Sequence, residues 1–314
     1  MTSLAMMTSG ARLGYGLVIV SAVCAAANGV VARLIIEAGV TAKELAALRI
    51  YGATIVLFFA VFPHLRRLRR REVIQLVGFA FVGFVLGQGM YFQAIARLNI
   101  ALVLTIVFTA PIIVGVYQRV RKGERLPRYA YVAIVVAVAG LAVAVLGAGG
   151  IGSVSVAGLV FASCTMLAYV ATVIMAGHLD TTMPPLARTG VAFLIASLVW
   201  AVILPPWRLP YHLLSHTAHF DGVYAFSFPV WTGILFVAVV DSAVLYTCFF
   251  AGTKRIGAGA SSVVGMIEPV LGAVLAWLLL AQSLTPLQTL GITAALGGII
   301  VVEQARMKST TTRL

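Results

Sequence analysis

Apolar runs of about 20 residues each, the length that crosses a bilayer as a helix, leave this chain little choice of solvent. Ten of them can be marked, at roughly 14–36, 44–63, 73–96, 100–119, 129–147, 155–177, 186–204, 229–253, 258–281 and 286–304. Within hydrocarbon every backbone polar group must find a partner inside the protein, so such runs form helices. The chain is 61% hydrophobic and 10% charged, with mean hydropathy +1.06, whereas soluble domains carry ~25% charged residues. The expected class is an all-α membrane protein with ten transmembrane helices. A net charge of +13 would suggest a nucleic-acid partner in a soluble protein. Here the basic residues cluster in the gaps between apolar runs, so they read as topology signals and no nucleic-acid partner is expected.

With the N-terminus placed in the cytoplasm, 17 of the 22 Lys and Arg residues fall on the inside. They include the clusters Arg66-Arg67, Arg69-Arg70-Arg71 and Arg119 to Arg128, with Lys254-Arg255 and the tail Arg306, Lys308 and Arg313. Arg33, Lys43, Arg49, Arg97 and Arg208 are the exceptions. Such a bias orients a membrane protein, and both termini are expected inside. The first run carries Asn28 and Arg33 and reads as a retained helix rather than a cleaved signal.

The second half of the chain echoes the first. An offset of 158, the difference between Pro269 and Pro111, also relates Arg255 to Arg97, Phe250 to Phe92, Leu284 to Leu126 and Gly298 to Gly140. The matched prolines lie five runs apart, so the second copy enters the membrane upside down. The flanking turns agree: Gly123-Glu124-Arg125-Leu126 is basic and inside, while Ala281-Gln282-Ser283-Leu284 is uncharged and outside. Inverted repeats have this character. A weaker match relates Gly16 to Gly158. Two five-helix units are expected, residues 1–150 and residues 151–314.

Catalytic signatures are missing: there is no H-E-x-x-H, no G-x-S-x-G turn and no Walker A loop. The chain is therefore not expected to be an enzyme, and nothing in it calls for a cofactor. Cys24, Cys164 and Cys248 are scattered within apolar runs and read as packing residues, neither a disulfide framework nor a metal site. His212, His216 and His219 lie in a long stretch, Pro205 to Pro229, read as a surface loop rather than a metal site.

What remains is a sparse set of polar and aromatic residues at membrane depth. Asp241 and Glu268 are the acids well inside runs. A buried acid is costly to insert, by ~2.5–3.5 kcal/mol or more, and usually faces a partner or a wet cavity. Asn28, Gln88, Gln93, Thr165, Tyr169 and Thr172 could line a polar cavity or make interhelical hydrogen bonds. Tyr91, Phe92, Tyr246 and Met266 would suit an apolar or aromatic ligand, and equally plain packing. Gly83, Gly87 and Tyr91 share a face of the third run, fit for internal packing or a dimer. Gly87, Pro111, Gly265 and Pro269 are candidate hinges, because helices bend at such residues.

The segments YFQAIARLNIALVLTIVFTAPIIVGVYQRVRKGERL and FFAGTKRIGAGASSVVGMIEPVLGAVLAWLLLAQSLTPLQTLGITAALGGIIVVE resemble the EamA-type, ten-helix members of the drug/metabolite transporter superfamily. The most specific parts are the Glu268-Pro269 pair, the Gly123-Glu124-Arg125-Leu126 turn and the Leu284-Thr285-Pro286-Leu287-Gln288 start of the tenth run. Gln282 departs from the family's acidic turn. Within the family the chain is similar to YddG-type exporters of aromatic and other amino acids. The resemblance implies two inverted repeats around a central cavity in the bacterial inner membrane. It also implies export of small metabolites, amino acids among them, with membrane lipid as the surrounding partner. The expected cavity residues are Asn28, Gln88, Tyr91, Phe92, Tyr169, Asp241, Tyr246, Met266 and Glu268. A multidrug or other metabolite exporter of the same fold, coupled to protons, is the alternative, and an intramembrane enzyme a distant one.

Overall fold

The structure is a computed structural model that describes residues 9–65, 70–110, 112–113, 117, 127–147, 154–176, 183–221, 225–256, 261, 264–265 and 267–311. Helices dominate: α1 (Ser9–Glu37), α2 (Ala42–Leu65), α3 (Arg70–Ile95), α4 (Ile100–Val107) and α5 (Arg128–Gly147). Then come α6 (Val156–Ala176), α7 (Pro185–Ile203), α8 (Val230–Ile256), α9 (Glu268–Leu280) and α10 (Pro286–Thr311). Each apolar run overlaps one of these helices. Among the described residues four helical stretches are long and apolar enough to cross a membrane: Gly10–Glu37, Arg70–Ile95, Leu186–Ile203 and Val230–Ile256.

The helix ends follow from local chemistry. Thr41 and Glu44 form a reciprocal capping box at α2, with the Glu44 carboxylate accepting from the Thr41 N–H at 2.8 Å and the Glu44 N–H donating to the Thr41 hydroxyl at 3.3 Å. Thr285 and Gln288 repeat that device at α10, with Pro286 between them needing no donor. The Leu-Thr-Pro-Leu-Gln motif is therefore a helix start. Its Thr285 hydroxyl also donates to the Gly147 carbonyl at 2.9 Å, tying α10 to the end of α5. Arg33 donates to the Ile95 carbonyl at 2.6 Å and so satisfies the end of α3.

Among the described residues two helices contain π-helical segments, Phe81–Gly87 in α3 and Val240–Val244 in α8. They sit at positions related by the offset of 158. Gly83 and Gly87 share the face of α3 that packs on α6, and the Tyr91 side chain one turn on reaches α1. A methyl group on Gly83 or Gly87 would meet Thr172 or Ala168 of α6, whereas the Tyr91 hydroxyl lies 3.0 Å from where a Cβ on Gly29 of α1 would sit.

The packing pairs come in matched sets. α1 lies on α8 and α9, and α6 lies on α3 and α4; α2 packs on α7, α4 on α9 and α5 on α10. Gly14 meets Arg255 and Ile256, and Gly158 meets Arg97 and Leu98, the residues 158 positions earlier. The contact of Gly158 is thus reproduced by Gly14 rather than Gly16, where an added methyl would meet nothing within 4 Å. α5 and α10 run antiparallel, with Gly147 against Gln288 at one end and Gly298 against Ala133 at the other.

One correction concerns the stretch from Pro205 to Pro229, which is not plain loop in an otherwise all-α chain. It holds two short 3-10 turns and an antiparallel hairpin, β1 (Thr217–Asp221) and β2 (Ala225–Pro229). The sequence carried a signal for it, an Asp221-Gly222 pair after an alternating run. Trp207, Tyr211, Phe226 and Trp231 are exposed around this end, as amphipathic rings are at a membrane–water interface.

Candidate functional site

Two turns into α2 stands Arg49, a cation with a side chain 3% exposed inside an apolar helix. α2 and α8 approach closely here, since a Cβ on Gly52 would fall 2.6 Å from the Ala238 methyl. That approach brings the Arg49 guanidinium onto Asp241, whose side chain is 4% exposed and which lies in the π-segment of α8. Nη2 of Arg49 pairs with Oδ2 of Asp241, and Nη1 donates to Oε1 of Gln88, the residue just after the π-segment of α3. The guanidinium carbon is 5.8 Å from the centroid of the Phe92 ring. Nε of Arg49 is buried and has no partner. Three helices are thus tied by one cation at membrane depth, where a lone charge would be far costlier than a paired one.

Beside this pair stands an aromatic wall. Phe84 of α3 and Phe193 of α7 have centroids 4.3 Å apart, and Tyr246 of α8 lies 6.2 Å from Phe84 and 6.4 Å from Phe193. Tyr91 and Phe92 pack at 5.5 Å. Glu268 lies within electrostatic reach of Asp241, Tyr91 and Tyr246, and Tyr169 within reach of Tyr246.

Glu268 owes its place to a helix interruption. Ile267 is in a turn, and α9 starts at Glu268 with Pro269 next. A carboxylate in the first turn of a helix is stabilised by the unsatisfied N–H groups there, and Pro269 is tolerated because it supplies no donor where none is needed. The Glu-Pro pair is the start of a discontinuous helix. α4 breaks at the related place: it ends at Val107, with Phe108 and Thr109 in a turn.

The expected site residues fare unequally. Gln88, Phe92 and Asp241 converge on Arg49, and Tyr91, Tyr169, Tyr246 and Glu268 gather near them. Asn28 of α1 is buried with an unpartnered Oδ1, one turn from Cys24, which is within electrostatic reach of Asp241. Thr165 and Thr172 donate to carbonyls of their own helix, at Phe161 and Ala168. Gln93 accepts from Arg97 at the end of α3. Of the expected hinges, Gly87 ends a π-segment, Gly265 has open space around it and Pro269 is buried against the rest of the fold. Met266 and Pro111 lie outside the described residues, as does the Gly123-Glu124-Arg125-Leu126 turn. His212 and His216 have rings 6.5 Å apart, edge to face, on the 3-10 turn and the residue after it.

Arg49 is the residue that sequence reasoning passed over. Its signal was present: a cation inside an apolar run, well away from the basic loops.

The EamA-like transporter family matches residues 12–146 and 156–303. A curated relative, the uncharacterized transporter YwfM of Bacillus subtilis, is 24% identical over 238 residues, 75% of each chain. One solved structure, described only as the crystal structure of a protein, has a TM-score of 0.59 at 17% identity and covers 95% of this chain and 98% of that one. This last likeness concerns the fold alone.

Proposed function

This chain belongs to the EamA-like transporter family, and on that footing we propose that it is a bacterial inner-membrane carrier that exports amino acids, aromatic and other apolar ones foremost, by alternating access. Ten spans form two inverted five-helix repeats, residues 1–150 and 151–314, around a central cavity, with both termini in the cytoplasm. What supports the repeat is the doubling of its parts: the two stretches matched by the family, the related π-segments, the related breaks in α4 and α9, and the antiparallel pairing of α5 with α10. Discontinuous helices meeting at the midplane are where carriers of this kind bind their cargo.

The observation that carries the functional reading is the buried Arg49–Asp241 pair, with Gln88 on the same guanidinium, beside Glu268 and the aromatic wall, built from helices of both repeats. Such groups are costly in a membrane interior and mark transport pathways. The aromatic wall suits an aromatic or aliphatic side chain. A second reading, a proton-coupled exporter of cationic drugs, draws on the presence of two acids against one cation here.

Counterflow in proteoliposomes tests the proposal. Vesicles loaded with unlabelled phenylalanine should transiently accumulate labelled phenylalanine without any ion gradient. Glu268→Gln should lower that rate at least ~10-fold, the effect of a lost interaction worth about 1.4 kcal/mol in the transport barrier. If no amino acid is exchanged by folded protein, the amino-acid reading is wrong; if exchange appears only with a pH gradient, the second reading gains.

A further inference from the structure

We infer that Arg49 and Asp241 together form the receptor for a zwitterion: the substrate's carboxylate replaces Asp241 on the Arg49 guanidinium, and its ammonium takes the freed Asp241 carboxylate. This rests on the amino-acid reading above and goes further, because it names the two charges the cargo must carry and the residue that receives each.

Three observations lead to it. Arg49 is engaged in a split manner: one terminal nitrogen goes to a carboxylate oxygen, the other to a neutral amide, and the buried Nε–H has no partner. A guanidinium that serves only as a structural tie usually presents two parallel N–H groups to both oxygens of one carboxylate. Here it keeps a donor in reserve for another oxygen. Next, Asn28 of α1 contributes a buried acceptor without a partner, one turn from Cys24, which is within electrostatic reach of Asp241, a place for a substrate N–H. Lastly, Phe92 faces the guanidinium, and Phe84, Phe193 and Tyr246 stand beside the pair.

Charge selects among ligands. Arg49 and Asp241 balance each other. A zwitterion entering between them leaves both protein charges and both of its own paired. A simple amine that takes Asp241 brings Arg49 no carboxylate in return, and a simple acid that takes Arg49 brings Asp241 no cation. An unpaired charge in a buried site is strongly unfavourable. Asp241 thus holds on Arg49 the place that the cargo's carboxylate would take.

The experiment compares three probes of one shape in the counterflow assay: phenylalanine, phenethylamine, which lacks the carboxylate, and 3-phenylpropanoate, which lacks the ammonium. Wild type should exchange phenylalanine at least ~10-fold faster than either truncated probe. The charge-neutral pair Arg49→Gln with Asp241→Asn should keep its thermal stability near that of wild type and lose phenylalanine exchange by ~100-fold or more in kcat/KM. Arg49→Lys should retain part of it. The inference is overturned if the neutral pair variant exchanges phenylalanine with wild-type kcat/KM, since the two residues would then be a structural tie only. It is also overturned if wild type exchanges phenethylamine as well as phenylalanine, an outcome that leaves the amino-acid reading standing. Should wild type exchange other solutes and no amino acid at all, the reading beneath it fails, and the inference falls for that separate reason.

Discussion

Adding a methyl group at Gly140 of α5 and at Gly298 of α10 should cost the same. A Cβ at Gly140 would lie 2.5 Å from the Ala295 nitrogen and 2.7 Å from the Gly291 carbonyl oxygen. A Cβ at Gly298 would lie 2.5 Å from the Ala133 carbonyl oxygen and 2.8 Å from the Ala137 nitrogen. Each of these atoms has its counterpart 158 residues away, so the two sites are one contact seen twice. The obstacles are backbone atoms, which cannot rotate aside. Ordinary contact begins at 3.4 Å, so the helices must separate or bend by about 0.9 Å, a gap that forfeits a quarter to a half of the dispersion energy at each affected atom pair. Overpacking of this kind costs ~1–3 kcal/mol, and the rigidity of the obstacle puts the expectation at ~2–3 kcal/mol for either Gly140→Ala or Gly298→Ala. With roughly 2 °C or more per kcal/mol in a chain of this size, Tm should fall by about 4–8 °C. Gly297→Ala is the control, because a Cβ there meets nothing within 4 Å; it should gain up to ~1 kcal/mol from helix propensity. The assay is thermal unfolding in one detergent at one scan rate, since unfolding of such proteins is often irreversible and the rate then matters. A Gly140→Ala loss that Gly298→Ala does not match within ~1 kcal/mol would refute the two-fold argument.

Other outcomes follow from single residues. Ala281 ends α9 in the left-handed region at φ 52°, a conformation that costs a non-glycine residue ~1–2 kcal/mol; Ala281→Gly should therefore raise Tm by a degree or more. Thr285→Ala removes both the cap of α10 and the bond to Gly147, and should lower stability by ~1–2 kcal/mol in the same assay. Arg49→Met strands the Asp241 carboxylate and should destabilise by ~3–5 kcal/mol, while Arg49→Met combined with Asp241→Leu should return to within ~1 kcal/mol of wild type; equal losses in both would mean that the arginine stem, not its charge, matters.

How far the sequence speaks depends on which physical force sets a feature. Helix positions were legible because lipid imposes a length and a hydropathy on every span, and the expected run 129–147 differs from Arg128–Gly147 by one residue. Capping was half legible: Leu-Thr-Pro-Leu-Gln stood out as a motif, but its chemistry needed the Thr285–Gln288 bonds. The π-segments were not legible, because an extra residue per turn leaves hydropathy unchanged while rotating every face after it.

Arg49 is one of five exceptions to the inside bias, alongside Arg33, Lys43, Arg97 and Arg208. Arg33, Arg97 and Arg208 lie near helix ends or in the segment with the hairpin, and Lys43 is in the first turn of α2. Such side chains can extend to the interface at small cost. Arg49 cannot, because it is two turns inside α2 and its neighbours bury it. Insertion of a central arginine costs ~2.5–3.5 kcal/mol even on the lenient scale, so a chain that places one there must supply a counter-charge, and the acids available at depth were Asp241 and Glu268. The pairing with one of them was implied by the count of charges alone. Only the fold could choose Asp241, by drawing α2 against α8 at Gly52 and Ala238. The choice has a consequence for Glu268: with Arg49 already engaged by Asp241, it stands beside the pair as a second carboxylate and not as the partner of the arginine.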